Sequence, residues 1–186
     1  MVTTVQQTQQ TDEQLAAAAA REGSDGPAFL TLLDRHRERV WRVCYRLMGN
    51  EHDASDAAQE VFVRLFLKRA DFAGRSKYVT WLHGVTVRTC LSMRRGRGRR
   101  QRREITLPAT ELEQQVTSDQ TDSVSLSLDL NRMLETLGDE DRALIVLKYV
   151  EGYSYQQLSE IFGLSVSGCK MRISRARGKL REQFPP

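Results

Sequence analysis

The residues best equipped for chemistry lie in the segment VSGCKMRISRARGKLR, Val166 to Arg181. Read as a helix, it places Ser167, Lys170, Met171, Ser174 and Arg175 on one face. Lys170, Arg172, Arg175, Arg177, Lys179 and Arg181 crowd the same stretch, with no acidic residue between Glu160 and Glu182. That density of cations attracts phosphate, whereas a plain helical hairpin with a solvated face does not need it. Lys170 suits acceptors such as guanine O6 and N7, and Met171 offers only apolar contact, for instance to a thymine methyl. The chemistry expected here is therefore recognition of duplex DNA. The sequence has no carboxylate pair, metal-ligand spacing or glycine-rich phosphate loop, so neither catalysis nor a cofactor is expected. Cys44, Cys90 and Cys169 are odd in number and widely spaced, and each falls on an apolar helical face. They read as buried, reduced thiols of a cytoplasmic protein rather than as disulfides.

These side chains need a scaffold, and the preceding residues describe one. Ser154 with Gln157 three residues later forms a capping box for a short helix bearing Leu158, Ile161 and Phe162 on one face. Gly163 can take the left-handed conformation that ends it, and Ser165 can cap the next helix. Val166, Cys169, Ile173, Ala176 and Leu180 then form a buried stripe opposite the basic face. Two short helices around a tight glycine turn predict a helix-turn-helix, whose second helix enters a major groove. Upstream, Leu130, Met133, Leu134 and Leu137 mark one apolar face, and Ala143, Val146, Leu147 and Val150 mark another. A four-helix C-terminal domain over residues 128–184 is expected.

The N-terminal half is also helical by periodicity. A polar, disordered tail is expected over 1–11. A helix follows from Asp12 through the alanine run, then one from Pro27 to Met48 with Phe29, Leu32, Leu33, His36, Val40, Val43 and Leu47 inward. The third helix, Asp53 to Arg69, is capped by Asp53 and carries the stripe Ala54, Ala57, Ala58, Val61, Phe62 and Leu65. Val63, Phe66 and Leu67 put apolar groups on other sides, which in a small bundle predicts a partner, rimmed by Asp56, Gln59 and Glu60. A loop, Phe72 to Lys77, leads into a fourth helix with Trp81, Leu82, Val85, Thr89 and Ser92 inward, leaving Lys77, Tyr78, His83 and Arg88 for other faces. Aromatic and basic groups at a loop–helix junction suit single-stranded nucleic acid. Trp81 taken alone reads better as core. With a net charge of +4 and no alternating β-branched runs, the chain is predicted to be all-α: two small helical domains, 12–97 and 128–184, joined by a flexible acidic linker over 98–127. No apolar run approaches the roughly 20 residues that span a bilayer, so no membrane insertion is expected.

At DASDAAQEVFVRLF, Phe72-x-Gly74-x-Ser76 and Thr80-Trp81-Leu82, followed at this separation by a helix-turn-helix, the chain resembles the extracytoplasmic-function (ECF) sigma factors of bacterial RNA polymerase. The resemblance covers about residues 25–95 and 128–182. It implies a non-catalytic subunit that docks on core RNA polymerase, at its beta and beta-prime subunits, through Asp56, Gln59, Glu60 and Val63. It implies that Phe72, Gly74, Ser76, Lys77, Tyr78, Trp81 and Arg88 hold the melted minus-ten promoter element, with one base flipped out. It also implies that Ser165, Ser167, Lys170, Met171 and Ser174 face the minus-thirty-five element while Arg175 and Arg177 hold its backbone. An anti-sigma factor is a further partner of such proteins. This chain departs from the family pattern at Arg88 and Ser92, where Asn and Asp are usual, at Leu137-Gly138 for Leu-Pro, and at Cys169 for Val.

Between the domains, Arg94 to Arg103 carries seven arginines and two glycines, a composition that suits phosphate contact beside a DNA-reading helix. Glu111, Glu113, Asp119 and Asp122 follow without a basic residue, and in the resemblance such a linker passes near the RNA path. A stand-alone helix-turn-helix repressor or activator would bind DNA without polymerase and would leave the many-sided third helix unexplained. A serine recombinase would need an alternating strand–helix domain, which the N-terminal half lacks.

Overall fold

The computed structural model describes residues 10–22, 26–104 and 130–184, with side chains at 100–104 left out. The described residues are helical with no strand. Helix α1 spans Asp12–Ala19, α2 Pro27–Met48, α3 Glu51–Leu67 and α4 Tyr78–Glu104, with a 3-10 turn at Arg69–Asp71. After the undescribed segment, α5 covers residues 130–135, α6 Asp139–Tyr149, α7 Tyr155–Phe162 and α8 Val166–Gln183. None of the described helices is long and apolar enough to cross a membrane. The expected tail lies mostly outside the described residues, as do the four acids of the linker. Helix α4 runs on to Glu104, across the boundary drawn at 97.

The helix ends follow their local chemistry. Thr11 and Gln14 form a capping box on α1, and Pro27 opens α2, where its missing N–H costs nothing. Helix α3 starts earlier than predicted. Asn50 is its cap, accepting from the Asp53 amide, and Asp53 is instead buried and paired bidentately with Arg97 of α4. The guanidinium holds the Asp53 carboxyl below the usual carboxylate range.

In the first domain α2 packs along α3, and α4 crosses both, burying Val40, Val43, Cys44, Leu47, Val61, Leu65, Leu82 and Cys90. Cys44 and Cys90 face each other with sulfurs 3.7 Å apart, and this mutual contact, then burial, pushes the Cys44 thiol far above its normal range. These are packing thiols, as expected, and Cys169 is likewise buried. In the second domain α5–α8 bury Leu134, Leu144, Val146, Leu147, Leu158 and Ile173.

The domains also pack on each other, α2 and α4 against α6 and α7. Three expectations are corrected. Helix α6 is not one-faced: Arg142, Leu144 and Ile145 are buried together with Ala143 and Val146, while Val150 is 42% exposed. Tyr78 and His83, assigned to outer faces of α4, are buried, Tyr78 near His36 of α2 and His83 against Tyr153 of the second domain. The C-terminus of α2 shows how the contact is built. Gly49 ends the helix at φ 91°, and a Cβ there would also lie 3.1 Å from the Glu135 carboxylate. The carbonyls of Arg46 and Leu47, left without helical partners, accept from Arg142 of α6 and Arg94 of α4 at 2.6 and 2.9 Å. Two cations thus meet the negative end of the α2 dipole.

Candidate nucleic-acid and polymerase interfaces

The helix-turn-helix forms as its sequence dictates. Ser154 and Gln157 make a reciprocal capping box on α7, Gly163 ends it at φ 66°, and Ser165 caps α8 by accepting from Gly168. Cys169, Ile173 and Ala176 face inward at 1% exposure or less, leaving Ser167, Lys170, Met171, Ser174, Arg175 and Arg177 on the open side. Met171 is 53% exposed, an apolar group with nothing of its own fold to cover it. Not every cation on α8 is available. Arg172 pairs with Glu140 and Asp141 of α6 at 2.7 Å, so acids absent from the local sequence neutralise it across the domain. Lys170 lies over the Tyr155 ring and Arg177 over Tyr149.

On the first domain, Phe72, Tyr78 and Trp81 gather into one aromatic cluster with centroids 5.4–5.7 Å apart. Tyr78 lies beneath it, so its part is to support Phe72 and Trp81, which are half-buried. Gly74 turns the loop at φ 67° with open space around it. Ser76 is half-buried, and Lys77 and Arg88 are exposed. Of the arginine run, Arg94 is tied to Asp139 and the Leu47 carbonyl, and Arg97 to Asp53. These two serve the fold, which corrects the reading of the whole run as phosphate contacts.

A third surface lies between α2 and α3. Arg37, Glu38, Trp41, Ser55, Ala58, Gln59 and Phe62 line an open, mainly apolar groove of about 440 Å³. Val63 and Leu67 continue its apolar character at 53% and 70% exposure. Gln59 is in the groove and Val63 beside it, whereas Glu60 is engaged by Arg64 at 2.6 Å and Asp56 lines a separate cavity near Arg97. Sequence reading missed Arg37, Glu38 and Trp41. The available signal was a Trp and a Tyr four residues apart outside the inner stripe of α2, which stack at 5.4 Å.

The domain contact reaches the edge of the loop–helix surface and leaves Lys77 and Arg88 exposed. Arg39 pairs with Glu151 at 2.8 Å, the Tyr153 hydroxyl donates to the Val79 carbonyl, and Arg88 reaches the Ile161 carbonyl at 3.5 Å. His83 is fully buried at this junction, and neither ring nitrogen has a hydrogen-bond partner among the described residues. Burial, with Arg39 and His36 nearby, pulls its pKa down to about 3. Below pH 6.5 the unfolded chain takes up a proton that the folded one refuses, so stability is lost as pH falls from 6.5 toward 3. This residue alone is expected to remove about 2 kcal/mol between pH 7.5 and pH 5. Urea unfolding at the two pH values checks this, and His83→Leu should abolish that part of the pH dependence.

Comparison with known proteins agrees with this geometry. Residues 32–100 match the Sigma-70 region 2 family and residues 127–180 match Sigma-70 region 4. The chain is 34% identical over 162 residues to the ECF RNA polymerase sigma factor SigE of Mycolicibacterium smegmatis, covering 84% of this chain and 61% of that protein. It is 30% identical over 169 residues to SigW of Bacillus subtilis, also an ECF sigma factor, covering 86% and 90%. Among solved structures, CnrH bound to the cytosolic domain of CnrY superimposes with a TM-score of 0.66 at 25% identity, covering 93% of this chain and 96% of that one. Both domains, in this order, are those of a sigma-70 protein. The chain belongs to the ECF RNA polymerase sigma factor family.

Proposed function

We propose that this chain is a promoter-specificity subunit: it binds core RNA polymerase, directs it to particular promoters and catalyses nothing itself. The observation that carries this reading is the pairing of two separate nucleic-acid surfaces with an apolar groove on the same small helical chain. The groove of Trp41, Gln59 and Phe62, continued by Val63, is the polymerase-docking face. Phe72, Ser76, Lys77, Trp81 and Arg88 hold the melted minus-ten element, the half-buried rings supplying a stacking face and Lys77 holding phosphate. The open face of α8 reads the minus-thirty-five element in duplex form, with Lys170, Met171 and Ser174 toward base edges and Arg175 and Arg177 on the backbone. The protein acts in the cytoplasm, where its polymerase is. An anti-sigma factor would act by covering these same surfaces.

Run-off transcription with purified core polymerase on genomic fragments, including the gene's own upstream region, tests the reading. Discrete starts that require this protein are expected. Tight duplex binding by the protein alone with no redirected polymerase would instead identify a stand-alone helix-turn-helix regulator. A milder test concerns α8. Arg175→Gln should lower affinity for all promoters alike and reduce the slope of log K against log salt by about one, whereas Ser174→Ala should act on particular sequences.

A further inference from the structure

On the face of α4 that the proposed function turns toward melted DNA, one side chain has donors and almost no partner. Arg88 is exposed, and its only hydrogen bond among the described residues is a long one, 3.5 Å, from Nη1 to the Ile161 carbonyl. That carbonyl belongs to the last turn of α7 in the other domain, so the contact is lost whenever the domains part.

The guanidinium is not free to wander on its own helix. It lies over Gly84, one turn earlier: a Cβ placed on Gly84 would sit 3.1 Å from Nη2, 3.3 Å from Nη1 and 3.5 Å from the central carbon. Gly84 has ordinary helical geometry and no positive φ, so no backbone constraint calls for glycine there. A glycine in a helix interior costs about 1 kcal/mol relative to alanine. What its missing side chain creates is a shelf on which the planar group rests. The Trp81 ring and Ser76 border the same small cavity, of about 100 Å³, which Glu160 and Ile161 close from the second domain.

A guanidinium has donors only, arranged as a planar fork, and it discriminates best when two acceptors lie side by side. Guanine offers that pair on one edge, O6 and N7. The carbonyl it touches in the closed arrangement has the same acceptor chemistry as O6. From this geometry we infer that Arg88, seated on Gly84 beside Trp81, reads a guanine in the minus-ten element. Arg88 is the specificity residue and Gly84 a positioning residue that acts through it. The inference rests on the sigma-factor reading and adds to it the base and the pair of residues that select it.

The experiment is binding of reconstituted holoenzyme to a promoter mapped by run-off transcription, with every minus-ten position varied through the four bases. Wild type should prefer guanine at one position by about 10-fold or more. Arg88→Ala should erase that preference while leaving the ranking of bases elsewhere intact. Arg88→Lys, which keeps the charge but not the fork, should lose most of it. Gly84→Ala should weaken it, with an unchanged salt dependence, because the guanidinium is still present but must shift off the new methyl; thermal unfolding establishes that this variant is folded. A uniform loss over all bases in Arg88→Ala would mean phosphate contact and would overturn the inference. So would a preference that survives the substitution, or one for a different base. If wild type starts no transcription on any fragment, the sigma-factor reading fails and this inference falls with it, a result distinct from transcription whose base preference ignores Arg88.

Discussion

Replacing Trp41 and Gln59 together by alanine is expected to weaken association with core RNA polymerase by about 100-fold, in a variant that thermal unfolding shows to be folded. Trp41 is half-buried, stacked on Tyr45 and packed at the edge of the core, with its other side open to the groove and only a long 3.5 Å hydrogen bond to Ser55. A large aromatic in an open groove is the kind of anchor that dominates a protein interface, commonly worth 2 kcal/mol or more when truncated, about 30-fold in affinity. Gln59 is exposed and lines the same groove, and its loss removes a polar contact at the rim. Glu60→Ala should have the smaller effect, because its carboxylate is already occupied by Arg64. Fluorescence titration of labelled protein with core enzyme measures both variants against wild type. Unchanged binding in the double variant would remove the groove from the docking face and leave Val63 and Leu67 as the surface to test.

The second large effect is on stability. Arg142→Ala is expected to cost about 3 kcal/mol in chemical unfolding, comparable to truncating a large core residue. Arg142 has no solvent exposure, and its Nε donates to the Arg46 carbonyl, yet its two terminal nitrogens have no partner among the described residues. Burial, and then the neighbouring Arg94, pull its pKa down to about 10, against the attraction of Glu135 and Asp139. Alanine would leave a cavity between α2 and α6 and an unpartnered carbonyl at the end of α2. Methionine, of similar length and without a charge to desolvate, should recover most of the loss and separates the two contributions. If alanine and methionine cost the same, the hydrogen bond rather than the packing is what Arg142 supplies.

These effects also indicate which parts of the protein could be read from residues in order. The caps of α7 and α8 and the turn at Gly163 depend on residues three or four apart, and all formed as their types require. The inward faces of α2 and α8 were legible for the same reason, as was the family, from Phe72, Gly74, Ser76 and Trp81 with the later helix-turn-helix. What could not be read depends on partners far along the chain. Asp53 resembles a helix cap until Arg97 arrives on another helix to claim it. Arg172 belongs to a basic run in sequence and to Glu140 and Asp141 in space. Helix α6 has a pattern of one apolar face, but the first domain buries its other side, a fact no periodicity records. The groove was only half visible: its α3 wall was anticipated from an excess of apolar sides, whereas Trp41 contributes from a helix whose inner stripe already accounted for its fold.

The contacts of Arg39 with Glu151, Tyr153 with Val79 and Arg88 with Ile161 have a thermodynamic consequence for any ligand of the α4 face. A ligand that reaches the part of this face lying under α7 must separate α7 from α4, and its apparent dissociation constant equals the intrinsic one divided by the fraction of molecules already open. If closure is favoured by about 2 kcal/mol, only some 3% are open and every promoter appears about 30-fold weaker than its contacts alone would make it. The loss is the same for all sequences, so it leaves their ranking untouched but raises the threshold for occupancy, and poor matches at limiting protein fall below it first. Both domains belong to one chain, so they can part without dissociating. Closure is therefore an intramolecular competitor whose strength does not fall when the protein is diluted.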